Sequence, residues 1–183
     1  MVHDFHERYE FSRDEEQNRA ALNWLLDQTP GSSGFEESRR DEDLKGVDYW
    51  VSMKNGKRLG VDLKKRDRPY PGDLCIEVCS VYKGPIGSAK KYSRWFDSGK
   101  CESVGWSLDY AKITDVVLFS WAPAVGGQPF YWKADFPTFR KIADEHWKKW
   151  ANQFGLRAAK NSGYSTLCVF PKVEEVNLLF EQY

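Results

Sequence analysis

Apolar residues recur at helical spacing in two long segments of the chain. Residues 13–28 carry an apolar stripe of Leu22, Leu25 and Leu26, and a Pro-Gly pair follows soon after as a stop signal. A second segment, residues 137–153, repeats this spacing with bulkier side chains. Its apolar positions are Phe139, Ile142, Ala143, Trp147 and Trp150. Both segments predict amphipathic helices, and a short closing helix is expected over residues 173–180.

Between these helices, short apolar or alternating runs predict strands. Two of them, residues 47–53 and 58–64, flank Asn55-Gly56, a dipeptide typical of a tight hairpin turn. Further strands are expected over residues 74–82, 113–121, 130–134 and 166–171. The run at 113–121 is the most apolar, so it is expected to be a central strand. Residues 31–45 show no apolar repeat and are predicted as loop.

The order of the elements predicts the fold class. A helix, three strands, a further strand, and then a helix, a strand and a helix describe an α/β (α+β) fold. Its central mixed sheet would have four to five strands and flanking helices. A length of 183 residues suits one such domain. We therefore expect an N-terminal arm over residues 1–11 and a single domain over residues 12–183.

Charge and cysteine usage narrow the class of protein. Lys plus Arg and Asp plus Glu both number 27, so the chain is not uniformly basic as many nucleic-acid-binding domains are. The four cysteines match no zinc spacing. Cys75 and Cys79 lie in an apolar run and are expected to be buried, reduced thiols.

The sequence shows no signal for secretion, for a membrane segment or for nucleotide binding. We find no signal peptide and no apolar run approaching 18 residues, so a cytoplasmic protein without a membrane segment is expected. No glycine-rich phosphate-binding loop occurs, so no nucleotide cofactor is expected.

Three charged residues of the predicted hairpin suit metal-assisted hydrolysis. Asp48 lies in its first strand, and Asp62 and Lys64 lie near the end of its second strand. Side chains alternate along a strand, so Asp62 and Lys64 share one face. Pairing of the strands would bring Asp48 towards Asp62, and the backbone carbonyl of Leu63 could add a third oxygen for Mg²⁺ or Mn²⁺. Lys64 would then place a cation beside attacking water; the alternative is a solvated face of a surface hairpin.

Residues 46–48 (Gly-Val-Asp), a turn, and residues 62–64 (Asp-Leu-Lys) resemble the signature of the PD-(D/E)XK nuclease superfamily. That group includes restriction enzymes, Holliday-junction resolvases and many phage-borne nucleases. The proline of the signature is replaced by valine in this chain. The resemblance implies a restriction-endonuclease-like fold in which Asp48 and Asp62 bind the metal and Lys64 is the catalytic lysine. The same fold also hosts inactive binding proteins.

Further acidic residues are candidates to complete the metal site. Glu77, in the next predicted strand, is expected to bring a carboxylate into it, and the alternative is a buried or edge acid. The resemblance also implies a glutamate on the first helix, where Glu15 and Glu16 stand. Either of these two also fits an ordinary acidic first turn. Asp115, at the start of the apolar strand, is expected to be structural.

Basic residues flank the hairpin in two runs and are candidates for phosphate binding. Tyr82, Tyr92 and Trp95 are interleaved with the second run, which suggests a track with stacking rings. The alternative is a solvated charged face. The predicted nucleic-acid-binding residues are Lys57, Arg58, Lys65, Arg66, Arg68, Lys90, Lys91 and Arg94.

Together these features predict a Mg²⁺- or Mn²⁺-dependent endonuclease that hydrolyses the phosphodiester bonds of nucleic acid, with DNA favoured over RNA. The alternative is a catalytically inactive protein of the same fold, for example a phage protein that engages a host defence protein or DNA. The sequence leaves open whether two protomers form a homodimer.

Overall fold

The computed structural model describes residues 15–70 and 72–183, and the arm predicted over residues 1–11 lies outside them. In chain order the elements are α1 (Glu15–Asp27), β1 (Ser32–Glu37), α2 (Arg40–Asp43), β2 (Tyr49–Met53), β3 (Arg58–Arg66), β4 (Ile76–Tyr82), β5 (Cys101–Val104), β6 (Val116–Trp121), β7 (Phe130–Asp135), α3 (Phe136–Phe154), β8 (Arg157–Asn161), β9 (Tyr164–Val169) and α4 (Val173–Phe180). Short 3₁₀ helices span Ala89–Arg94, Ser98–Lys100 and Trp106–Leu108.

The chain divides into two compact units. Of the described residues, the first unit contains 15–70 and 113–136, and the second contains 72–112 and 137–183. The expectation of a single domain over residues 12–183 therefore stays a prediction.

The first unit is built on a five-stranded sheet in the order β1-β2-β3-β6-β7. Strands β3 and β6 are parallel, and the other neighbours are antiparallel. The α+β class and a mixed central sheet of five strands are thus confirmed. The predicted hairpin is also present, and Gly56 at its turn has a φ of 83°, a conformation that glycine adopts without a steric cost.

Helix α1 covers one face of this sheet. Its Leu22 and Leu25 are buried in a cluster with Val61 of β3 and Leu118 of β6, and Leu63 packs against the same cluster. Because side chains alternate along a strand, the even-numbered residues of β3 point to the opposite face. Asp62 and Lys64 therefore lie on the sheet face that α1 does not cover.

Strand β1 was predicted as loop. It pairs along β2, with Phe35 opposite Val51, and only Phe35 among its residues contributes a large apolar side chain. An edge strand needs little apolar surface because it is paired on one side only, so its sequence carries a weak strand signal.

The second unit contains a separate antiparallel sheet in the order β5-β4-β9-β8. The strand predicted over residues 74–82 exists as β4, but its neighbours are β5 and β9 rather than the hairpin strands. Strands β5 and β8 were not predicted, since their short and mostly exposed sequences show no regular apolar alternation.

A disulfide joins Cys79 of β4 to Cys101 of β5. The expectation of a reduced thiol at Cys79 is therefore wrong, whereas Cys75, which is half-buried, and Cys168, which is buried, are not part of a disulfide among the described residues. Two cysteines far apart in sequence can meet only when the strands that carry them pair, which spacing alone does not reveal.

None of the helices within residues 15–70 and 72–183 combines the length and the apolar content that crossing a bilayer requires. Localisation to the cytoplasm stays a prediction.

Candidate metal and hydrolysis site

The candidate site lies where the chain enters β2 beside β3, in the first unit. The Asp48 backbone N–H donates to the Val61 carbonyl at 2.8 Å, which docks this residue against β3. The Asp48 side chain then crosses to the same strand, and its Oδ2 accepts a hydrogen bond from the Leu63 N–H at 2.7 Å. These two contacts hold the Asp48 carboxylate beside the strand that carries Asp62.

Asp62 is a buried acid whose carboxylate is paired with a lysine. The residue is 2% exposed. Lys64 Nζ lies 2.6 Å from its Oδ1 atom and forms an ion pair with it. This single ammonium group faces two neighbouring carboxyl groups, those of Asp62 and Asp48, so the site is suited to a further positive charge.

Two carboxylates in one small space perturb each other. Burial and the nearby negative charge of Asp62 raise the pKa of the Asp48 carboxyl to about 7, against the lowering effects of Lys64 and of the Leu63 N–H. A carboxyl with such a pKa releases its proton readily when a cation arrives. The pair therefore fits a hard divalent cation, and Mg²⁺ in particular is often held by only one or two carboxylates together with water and substrate oxygens.

Strand β6 and the turn before it brace this arrangement. Thr114, which is buried, donates its hydroxyl hydrogen bond to the Gly46 carbonyl just before Asp48. Asp115 accepts from the Gly60 N–H at 2.7 Å, and its own N–H donates to the Gly60 carbonyl at 2.8 Å. Asp115 thus has the structural role expected of it, although its bonding to Gly60 depends on the parallel pairing of β3 with β6.

Gly60 is a position where the packing of the site leaves no room for a side chain. A Cβ there would lie 2.8 Å from Cγ2 of the fully buried Val47. We expect Gly60→Ala to lower the free energy of unfolding by about 1–3 kcal/mol, because the valine must move in a packed core. Chemical denaturation measures this.

Gly34→Ala is the matched control, because a Cβ at Gly34 would meet no atom within 4 Å. Its stability should stay close to that of the wild type. Equal stability of the two variants would contradict the close approach of Val47 to Gly60.

Glu77 lies on β4 in the second unit. Its carboxylate accepts from the Ser80 hydroxyl at 2.5 Å, and its N–H donates to Ser107 Oγ at 3.0 Å. In the described part of the chain, no group of three or more His, Cys, Asp or Glu side chains is arranged to hold a metal ion. The site described in the first unit therefore uses Asp48 and Asp62, and Glu77 and the Leu63 carbonyl as further ligands stay predictions.

Glu15 and Glu16 occupy the exposed first turn of α1, on the sheet face opposite Asp62. Glu15 borders an open groove of about 540 Å³ that is also lined by Phe35, Glu37 and Tyr49. The structure therefore brings Glu15 to this groove and not to the Asp62–Lys64 pair, since α1 packs on the other side of β3.

The predicted phosphate-binding residues fall in both units. Lys57, Arg58, Lys65, Arg66 and Arg68 belong to the first, whereas Lys90, Lys91 and Arg94 belong to a 3₁₀ helix of the second. The guanidinium of Arg58 is already paired with Glu36 and lies 4.6 Å from the ring centre of Trp50.

Two of the rings expected to stack on bases are buried. Tyr82 is 1% exposed and Tyr92 is 8% exposed, and both pack against Phe96. The expectation that they line a nucleic-acid track is therefore wrong. Tyr82 and Tyr92 instead pack in the core of the second unit. Aromatic residues interleaved with lysines occur both in cores and at surfaces, so the sequence pattern does not distinguish the two.

Comparison of this chain with models of protein families, with curated proteins and with solved structures found no match.

Proposed function

We propose that this protein is a metal-dependent endonuclease that hydrolyses phosphodiester bonds, with DNA as its substrate. The observation that carries the proposal is the juxtaposition of two carboxyl groups and one lysine: Asp62 is buried and ion-paired with Lys64, and Asp48 beside it has a pKa raised to about 7. Such perturbed pairs concentrate at functional sites.

Asp48 and Asp62 would hold the cation. When bound, Mg²⁺ or Mn²⁺ would supply Lewis-acid stabilisation of negative charge on the phosphate. The Leu63 N–H orients Asp48 by its hydrogen bond to Oδ2, so the carboxylate is held before any ligand arrives, which lowers the cost of binding.

Lys64 would act on the attacking water and on the developing negative charge. It shares a sheet face with Asp62 and its side chain is 26% exposed, so its ammonium group borders both the buried acid and solvent. A fixed positive charge at that position stabilises a transition state that is more negative than the ground state.

A cleavage assay tests the proposal. Plasmid, linear and branched DNA and RNA are incubated with Mg²⁺, Mn²⁺ or EDTA, and the wild type is compared with Lys64→Ala. We expect metal-dependent nicking that falls by about 10²- to 10⁴-fold in the variant, the range for loss of a charged catalytic group.

Lys149→Ala is the matched control, because Lys149 is an exposed lysine of α3 that belongs neither to the candidate site nor to the predicted nucleic-acid-binding residues. It should cleave at close to the wild-type rate. Absence of cleavage on every substrate with both metals would refute the nuclease proposal.

A second candidate is a catalytically inactive binding protein of the same fold. It is favoured by one observation, that within residues 15–70 and 72–183 only two acids, and not three, converge on the candidate site. This candidate predicts DNA or protein binding that persists in EDTA and no cleavage by the wild type.

A further inference from the structure

Three aromatic rings form a compact group at one end of the first unit's sheet. Tyr70 stacks on Phe130 with ring centres 3.9 Å apart and planes 11° apart. Trp121 lies edge-on beneath both, with ring centres 5.1 Å from Tyr70 and 5.5 Å from Phe130. The rings hold one another in fixed orientations, so a partner that uses them meets a surface that is already arranged.

These rings share the sheet face of Asp62 and Lys64. Leu118 of β6 and Tyr131 of β7 pack on the α1 side. Trp121 is three residues after Leu118 and Phe130 is one residue before Tyr131, so alternation directs both rings to the other side. Across the strands, Arg66 pairs with Trp121, and Trp121 pairs with Phe130.

The distance to the candidate site follows from the register. Asp62 pairs with Val117, four residues before Trp121, which is about 13 Å along the strands. One strand of a stacked helix places a phosphate about every 3.4 Å, and an unstacked strand places its phosphates further apart. The distance from Asp62 to Trp121 along the strands therefore corresponds to at most about four nucleotides of one substrate strand.

The exposed fractions of the three rings, and the charge of the segment beside them, indicate the kind of partner that they can bind. Trp121 is 2% exposed and serves as backing, whereas Phe130 is 37% exposed and Tyr70 is half-buried. The segment that leads from Asp62 to Tyr70, residues 64–68, contains four basic residues and one acidic residue. An accessible aromatic surface beside clustered positive charge complements a base and its phosphate.

We infer that the Tyr70–Phe130 stack binds an unpaired base, so that the substrate strand is single-stranded at this point. The inference rests on the proposed nuclease function and adds the substrate class to it. A base within a duplex has both of its faces covered by neighbouring bases, and only an unstacked base can lie on an aromatic ring. Arg66, beside Trp121 in the sheet, would contact the adjoining phosphate.

Binding of fluorescein-labelled oligo(dT), followed by fluorescence anisotropy in EDTA, tests the inference without any cleavage. We expect Phe130→Ala and Phe130→Leu each to raise the Kd about 5- to 100-fold, the range that loss of one stacked base produces. The leucine variant keeps apolar bulk and removes the ring, so it separates stacking from a general loss of packing. Phe130→Trp should bind as tightly as the wild type, because it restores a ring.

Val125→Ala is the control, since Val125 is a fully exposed apolar residue between the same two strands, β6 and β7, and its Kd should not change. A hairpin duplex should bind Phe130→Leu and the wild type equally, because paired bases cannot use the ring. The inference is overturned if Phe130→Leu binds oligo(dT) as tightly as the wild type, or if the wild type does not bind oligo(dT).

These results are independent of the cleavage assay. A wild type that binds oligo(dT) through Phe130 but never cleaves would support the base site and reject the nuclease. A wild type that cleaves, and whose Phe130→Leu variant binds normally, would reject the base site alone.

Discussion

Asp62→Asn is expected to lower metal-dependent cleavage by about 10³-fold, the loss that several kcal/mol of transition-state stabilisation represents. Asp62 is one of two carboxylates available to the cation, and asparagine keeps the shape while removing the charge. The buried carboxylate that pairs with Lys64 becomes a neutral amide, which binds divalent cations weakly. Initial rates of plasmid nicking measure the effect.

Asp27→Asn is the matched control for this variant, because Asp27 is an exposed acid at the end of α1, the helix on the opposite face of the sheet. It removes the same charge as Asp62→Asn. Its cleavage rate should stay within about twofold of the wild-type rate, because the interactions of an exposed charge are weakened by solvent. Circular dichroism of both variants establishes that they are folded. Cleavage by Asp62→Asn within tenfold of the wild type would remove Asp62 from the metal site.

Asp48→Asn is expected to make the metal-free protein more stable at pH 8, by on the order of a few kcal/mol. The pKa of Asp48 is about 7 in the folded chain and 3.8 in its reference state. Between these two values the folded protein keeps a proton that the unfolded chain has lost. The free energy of unfolding contributed by Asp48 therefore falls as pH rises through this window, and it stays low above pH 7. Asparagine removes the charge that causes this loss.

The pH dependence identifies the cause of that effect. The gain in the free energy of unfolding should be largest at pH 8, smaller at pH 5, and absent below about pH 4, where Asp48 is protonated in both states. Denaturant titration in EDTA measures it, with Asp43→Asn, an exposed acid of α2, as the control. Added Mg²⁺ should stabilise the wild type at pH 8 but not Asp48→Asn. A variant less stable than the wild type at pH 8 would show that the two acids do not repel each other.

The two long helices and the hairpin follow from local pattern. The leucine spacing of α1 and the aromatic spacing of α3 are helical, and Gly56 supplies the positive φ that the tight turn needs. The same alternation that defines β3 places Asp62 and Lys64 on one face. These features depend on residues that are near neighbours in the chain, so the sequence contains the whole signal.

Pairing between distant segments depends on more than the local pattern. The local pattern predicts residues 74–82 as the third strand of the central sheet. In the structure β4 pairs with β9 in another sheet, and Glu77 is part of that strand. From local sequence alone, an apolar strand could pair equally well with several other strands. The pairing that forms is the one in which the whole chain makes its backbone hydrogen bonds and buries its apolar surface at the same time.

Local sequence patterns are enough to predict the α1 and α3 helices, the β2–β3 hairpin and the shared face of Asp62 and Lys64, because helical and strand periodicities are local properties. The parallel pairing of β3 with β6, and the pKa of about 7 that Asp48 has beside Asp62, arise from the packing of distant segments. Burial and the approach of two charges exist only once the strands have packed, and that is why the electrostatics of the site could not be predicted from composition.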